Sequence, residues 1–115
     1  MRRGSSSSVK VSYPRYSRQE VLDRLAAGVI ALQQRLPLKR VVLFGSYASG
    51  RFTAASDIDV LVVYEGALRE DAFAVVKRTL DLPRVEPHVY GEDEARRLSS
   101  TLERMTRDGV VLYQD

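Results

Sequence analysis

Two aspartates one residue apart, Asp57 and Asp59, head the apolar run VLVV at the end of the stretch VVLFGSYASGRFTAASDIDVLVV, residues 41–63. A charge at the mouth of a buried strand is costly, and two side by side repel. Side chains alternate along a strand, so both carboxylates would point to one face, about 6.5–7 Å apart along the backbone. Oxygen ligands so placed suit a hard cation such as Mg²⁺, which takes one or two carboxylates and completes its shell with water and phosphate oxygens. A divalent metal arriving with a polyphosphate would therefore stabilise the pair.

The other half of the stretch can supply the phosphate site. Gly45-Ser46 follows the first apolar run directly. Gly45 lets a ligand approach the backbone closely. Ser46 offers a hydroxyl and an amide, and SYASG can form one or two helical turns whose N-terminus faces an anion. Arg51 is a candidate charge partner for phosphates. Ten residues lie between Ser46 and Asp57, room for a short helix and a return turn. A third carboxylate would complete a two-metal centre. Glu86 is the best candidate, in a third apolar run with His88 two residues on. The chemistry would be in-line attack on a phosphoryl group, with two metals stabilising the attacking and leaving oxygens. His88 and Tyr47 read as structural residues, and the acidic run Glu92–Glu94 as a solvated first helical turn.

These residues must be carried by a small fold. The 115 residues suffice for one compact domain. SRQE at 17–20 has the form of a capping box. Val21, Leu22, Leu25, Ala26, Val29, Leu32 and Leu36 then recur at helical spacing, and Pro37 stops the helix. LKRVVLF at 38–44 and DIDVLVVY at 57–64 read as strands, the second apolar enough to be covered on both faces. Leu68, Ala72, Val75, Val76 and Leu80 predict a second helix ended by Pro83. RVEPHVY at 84–90 reads as a third strand. A third helix follows from about 92 to 107, with Ala95, Leu98, Leu102 and Met105 as its apolar stripe. VVLY at 110–113 can add a short strand. The expected class is α/β (α+β), a small mixed β-sheet with helices packed on it.

Composition narrows the function. Apolar residues make up 44% and charged residues 29%, as in globular proteins generally. No apolar run approaches the roughly 20 residues that span a bilayer, so no membrane partner is expected. No apolar stretch follows the basic N-terminus as a secretory signal would require. The absence of cysteine excludes thiolate catalysis, disulfides and Cys-ligated zinc and fits a cytoplasmic protein. Residues 1–18 carry five basic groups, Arg2, Arg3, Lys10, Arg15 and Arg18, and no acid. Residues 19–115 carry 13 basic and 15 acidic groups. The net charge of +3 is thus a property of the N-terminal segment. Residues 1–16 read as a flexible, Ser-rich basic tail, its arginines solubilising, and 17–115 as the domain. Nucleic acid is not an expected partner of a body that is not basic.

Gly45-Ser46, ten residues and Asp57-Ile58-Asp59, set behind an apolar strand, resemble the signature of the DNA polymerase beta-type nucleotidyltransferase superfamily. The length, FGSYASG and the ending DGVVLY resemble its smallest members, the minimal nucleotidyltransferases, over about residues 18–113. The resemblance implies transfer of a nucleoside monophosphate, AMP foremost, from ATP or another NTP, with Mg²⁺ and release of pyrophosphate. It implies that Gly45 and Ser46 hold the triphosphate, and that Asp57, Asp59 and Glu86 are the catalytic metal ligands. The family commonly has aspartate at the third position, whereas this chain has Glu86 followed by Pro87 and His88. Many minimal members are antitoxins paired with a HEPN-type ribonuclease toxin, which they modify on a tyrosine or neutralise by binding. The resemblance therefore implies a toxin partner, or an acceptor brought by self-association. The alternative is a weak or inactive nucleotide-binding module that acts by occlusion.

Overall fold

The computed structural model describes residues 16–115, so the basic residues Arg2, Arg3, Lys10 and Arg15 lie outside the described residues. The first helix, α1, runs Arg18–Gln33. Its start is the capping box that the sequence spells. The Ser17 hydroxyl accepts from the Glu20 amide at 3.1 Å, and the Glu20 carboxylate accepts from the Ser17 amide at 2.8 Å. Two orphan amides of the first turn are thereby satisfied. Val21, Leu25, Val29 and Leu32 form its buried face. Tyr16, just outside the helix, packs on the same core, with the Arg24 guanidinium 4.4 Å over its ring.

Two strands, β1 (Leu38–Phe44) and β2 (Ile58–Tyr64), pair antiparallel, with Val42 opposite Leu61 and Phe44 opposite Asp59. The hairpin between them contains the one-turn helix α2 (Ser46–Ser49). From β2 the chain crosses through α3 (Ala72–Leu80) to β3 (Val85–Gly91), which lies parallel to β2. A parallel neighbour requires such a crossover. Two short helices, α4 (Glu92–Arg97) and α5 (Ser99–Met105), lead to β4 (Val110–Gln114), antiparallel to β1. The strand order is β3-β2-β1-β4. The fold is the expected mixed α/β sheet with helices on it.

The sheet is covered unequally. One face, with Val41, Leu43, Ile58, Val60 and Val62, packs on α1 and α3 in a single buried cluster. The other, with Val42, Phe44, Leu61 and Val63, packs on Leu102 of α5 and on Ala95 and Met105. Every residue of β2 is buried except Asp59. Strand alternation puts Asp59 on the second face, the one covered by short helices.

Two helices differ from expectation. The helix predicted over 92–107 is broken at Leu98, whose backbone leaves helical values (φ −102°, ψ 17°). The Ser99-Ser100-Thr101 sequence after it competes for backbone hydrogen bonds and weakens helix continuity. The break lets Leu102 into the core while Leu98 stays 37% exposed. The second helix begins at Ala72, and Leu68 is 73% exposed. The buried Tyr64 hydroxyl accepts the Arg69 amide at 2.7 Å, so the chain wraps over the end of β2 before it coils. Among the described residues no helix is long and apolar enough to cross a membrane.

The capping box sets one expected outcome. Ser17→Ala removes a hydroxyl that the first turn of α1 uses and lowers stability by about 1 kcal/mol, measurable by urea unfolding.

Candidate active site

The site is built by the turn that joins β1 to β2. Gly45 ends β1 with φ +78°, a conformation that L side chains avoid. It also lies against Asp59: a Cβ on Gly45 would stand 2.5 Å from Oδ2 of Asp59. Glycine is therefore required twice here, by its dihedral and by its contact. The Ser46 amide and hydroxyl follow at once, at the start of α2. This helix is closed by Ser49 N–H to Gly45 O at 3.1 Å and Arg51 N–H to Ser46 O at 3.0 Å. Its flank is buried through Tyr47, which stacks on Phe52 at 4.2 Å. Tyr47 is thus a cover for the core, as expected, and burial raises its hydroxyl pKa while Arg84 opposes the shift.

Asp59 is sheltered, its side chain 27% exposed. Burial pushes its carboxyl above the usual range. A hydrogen bond and charge from His88 pull it down, and repulsion from Asp57 and Glu86 pushes it up again. His88 Nε2 stands 3.4 Å from Asp59 Oδ1, and its ring lies 5.0 Å from that of Phe44. Glu86 is the register partner of Asp59 on β3 and is exposed. The other two predicted carboxylates thus come close enough to Asp59 to act on it. Among the described residues, however, no three acidic or histidine side chains gather into a group that would hold a metal ion.

Asp57 is exposed and precedes β2. Its Oδ1 forms an ion pair with Arg84 Nη2 at 3.2 Å. Arg84 is a left-handed residue, φ 65°, a conformation that costs a non-glycine residue roughly 1–3 kcal/mol. In it, the guanidinium also donates to the Ser56 and Ala55 carbonyls, and the Arg84 carbonyl accepts the Ile58 amide at 2.8 Å. One residue thereby ties the Asp57 loop to the start of β3. Both partners of the ion pair are about half exposed, so the charge contact contributes at most about 1 kcal/mol, and its value is positional.

Nothing in the spacing of the motif singles out Arg84, which lies 27 residues beyond Asp57. The positive φ could not be read from an arginine codon by codon either, since that region favours glycine and asparagine. Arg18, to which the sequence reading gave no role, donates from Nε to the Tyr47 carbonyl at 3.0 Å and from Nη2 to the Ala48 carbonyl at 3.2 Å. Arg51 has an exposed side chain, and its amide helps to close α2.

The donor chemistry of Asp57 and Asp59 fits a hard divalent cation. Both are oxygen ligands, and their mutual repulsion is of the kind that bound cations relieve. Glu86 fits less well, since it does not join them in a ligand cluster. The Gly45-Ser46 backbone, packed on Asp59, can carry phosphate oxygens beside such an ion.

Two expected outcomes test this geometry. Gly45→Ala places a methyl group on the Asp59 carboxylate and strains φ. It costs roughly 1–3 kcal/mol of stability and displaces Asp59, detectable as a shifted Asp59 carboxyl resonance in an NMR titration. Asp59→Asn raises the thermal midpoint at neutral pH. Because the folded state holds the Asp59 proton more tightly than the unfolded chain does, its ionisation destabilises the fold above the folded pKa. The advantage of the Asn variant therefore shrinks as pH falls through that value toward 3.8. Melting curves across the acid range check both sign and window.

Comparison with known proteins agrees with the geometry. The nucleotidyltransferase domain family matches residues 29–110. A Methanocaldococcus jannaschii protein provisionally described as a protein adenylyltransferase is 58% identical over 26 residues, which is 23% of this chain and 26% of that relative. The match thus spans about a quarter of the relative's length. A crystal structure from Sulfolobus solfataricus, provisionally described as a nucleotidyltransferase, superposes with a TM-score of 0.61 at 27% identity, over 84% of this chain and 83% of the other. A chain from the complex of tri-AMPylated Shewanella oneidensis HEPN toxin with MNT antitoxin shares the fold, with a TM-score of 0.54 at 18% identity. That superposition covers 85% of this chain and 73% of the other. With the family match extending over most of its length, from within α1 to the first residue of β4, this chain belongs to the nucleotidyltransferase domain family.

Proposed function

We propose that the protein is a Mg²⁺-dependent adenylyltransferase that moves AMP from ATP to a hydroxyl of a partner protein, a HEPN-type toxin that it thereby silences. The observation that carries the reading is the packing of Gly45 on Asp59. It couples the turn able to hold a triphosphate to the carboxylates able to hold its metal. The AMPylated HEPN toxin in the Shewanella complex and the adenylyltransferase description of the Methanocaldococcus relative support the partner and the nucleotide.

In this reading Gly45 and Ser46 bind the triphosphate, with Arg51 free to swing its exposed guanidinium onto it. Asp57 and Asp59 hold the metal. When bound, Mg²⁺ neutralises the phosphate charge and polarises the phosphorus under attack. The acceptor hydroxyl attacks the α-phosphorus, a P–O bond forms, and pyrophosphate leaves. Glu86, exposed beside Asp59, is the carboxylate placed to take the hydroxyl proton. His88 steadies the Asp59 carboxylate through their contact.

A second reading has its own observation. Asp57 is held by Arg84, and Glu86 does not gather with the aspartates. Such a site suits a nucleotide-binding module that neutralises the toxin by occlusion. Label transfer from α-³²P-ATP to the toxin separates the two. Asp57→Asn is expected to lower transfer at least about a hundredfold, the loss of a few kcal/mol of charge stabilisation. Toxin neutralisation by Asp57→Asn equal to wild type, with no label transferred by either, replaces the enzyme with the occlusion module.

A further inference from the structure

α2 is a helix of a single turn, Ser46–Ser49, far shorter than a helix that is stable by itself. Its own amides satisfy only the carbonyls at its start. Ser49 N–H bonds Gly45 O, and Arg51 N–H and the Ser49 hydroxyl bond Ser46 O. The next two carbonyls, those of Tyr47 and Ala48, are taken instead by the forked guanidinium of Arg18, 29 and 30 residues away in the first turn of α1. Arg18 is itself half-buried and is the first residue of α1. A planar group with donors at a fixed angle can hold two successive carbonyls at once, which lysine cannot do.

We infer that Arg18 is a positioning residue for the nucleotide: by holding the far end of α2, it keeps the Gly45-Ser46 turn seated on Asp59. The inference rests on the nucleotide-binding reading of that turn. The chain of contacts is short. Arg18 grips the Tyr47 and Ala48 carbonyls, α2 carries Ser46, and Gly45 meets the carboxylate. Buried Tyr47 fixes one flank of α2 in the core. Arg18 supplies the second point of attachment that stops the turn from tilting about it.

The test uses the full chain and three variants. Arg18→Ala removes the clamp, Arg18→Lys keeps the charge but not the fork, and Ser17→Ala loosens the start of α1 without touching α2. Two measurements are made: AMP-PNP affinity by calorimetry, and amide hydrogen exchange at Ser49 and Arg51. Arg18→Ala is expected to weaken AMP-PNP binding about tenfold, the worth of one or two hydrogen bonds, and to speed exchange at both amides. Arg18→Lys falls between, Ser17→Ala matches wild type in both, and guanidinium chloride below denaturing concentration partly restores Arg18→Ala. Wild-type affinity or wild-type exchange in Arg18→Ala overturns the inference. So does an equal loss in Ser17→Ala, which would make the effect general loosening of α1. A wild-type protein that does not bind AMP-PNP overturns the nucleotide-binding reading itself, a result distinct from a bound nucleotide indifferent to Arg18.

Discussion

The structure turns on the contact between a backbone and a carboxylate. Gly45 presses its bare Cα face against Asp59, at the turn end of a hairpin whose remaining β2 residues are buried. A carboxylate there is partly stripped of water and faces two others, so its ionised form is strained by burial and by charge. Nothing apolar could relieve that strain. A cation can, and in the proposed function the turn that touches the carboxylate is also the one that receives phosphate. In that reading the electrostatic problem and the binding site are the same place.

The rest of the fold keeps that place rigid on one side and open on the other. The deep cluster under α1 and α3 holds β1 and β2 in register, so Phe44 lies opposite Asp59 and the turn after Phe44 has no choice of height. The second face is covered mainly by Leu102, Ala95 and Met105, and Glu86, His88 and Asp59 remain reachable at its edge. Around the carboxylates stand basic groups from other elements: His88 on Asp59, and Arg84 on Asp57. These pairs are partly exposed, so their energies are small. Their use is geometric. Arg84 ties three successive residues of the 55–57 loop, and Arg18 ties two carbonyls of α2.

Several features were open to local reading because their causes are local. Ser17 and Glu20 cap α1 as their three-residue spacing demands. Gly45-Ser46 after an apolar strand, and two acids before another, place a turn and a charged strand mouth within one hairpin. The two strands are neighbours in sequence and pair with each other, so order along the chain carries much of that geometry. Leu68 and Leu98 show where periodicity misleads. Both fit a helical stripe, yet Leu68 precedes the start of α3, where the Tyr64 hydroxyl takes the Arg69 amide, and Leu98 sits at a break.

The amino-acid sequence by itself determined the first helix, the strands, the hairpin and the two aspartates beside a glycine-serine turn. Those follow from residue type and from separations of a few positions. Only the tertiary structure decided that β3 runs parallel to β2, which sets Glu86 level with Asp59 and lets His88 reach it. It alone decided that Arg84 answers Asp57 and that the Arg18 side chain reaches the carbonyls of α2. These partners lie 27 to 30 residues apart in the chain. Whether they meet depends on register and on side-chain direction, and a shift of one residue in β2 or β3 would send Asp59 or His88 to the opposite face.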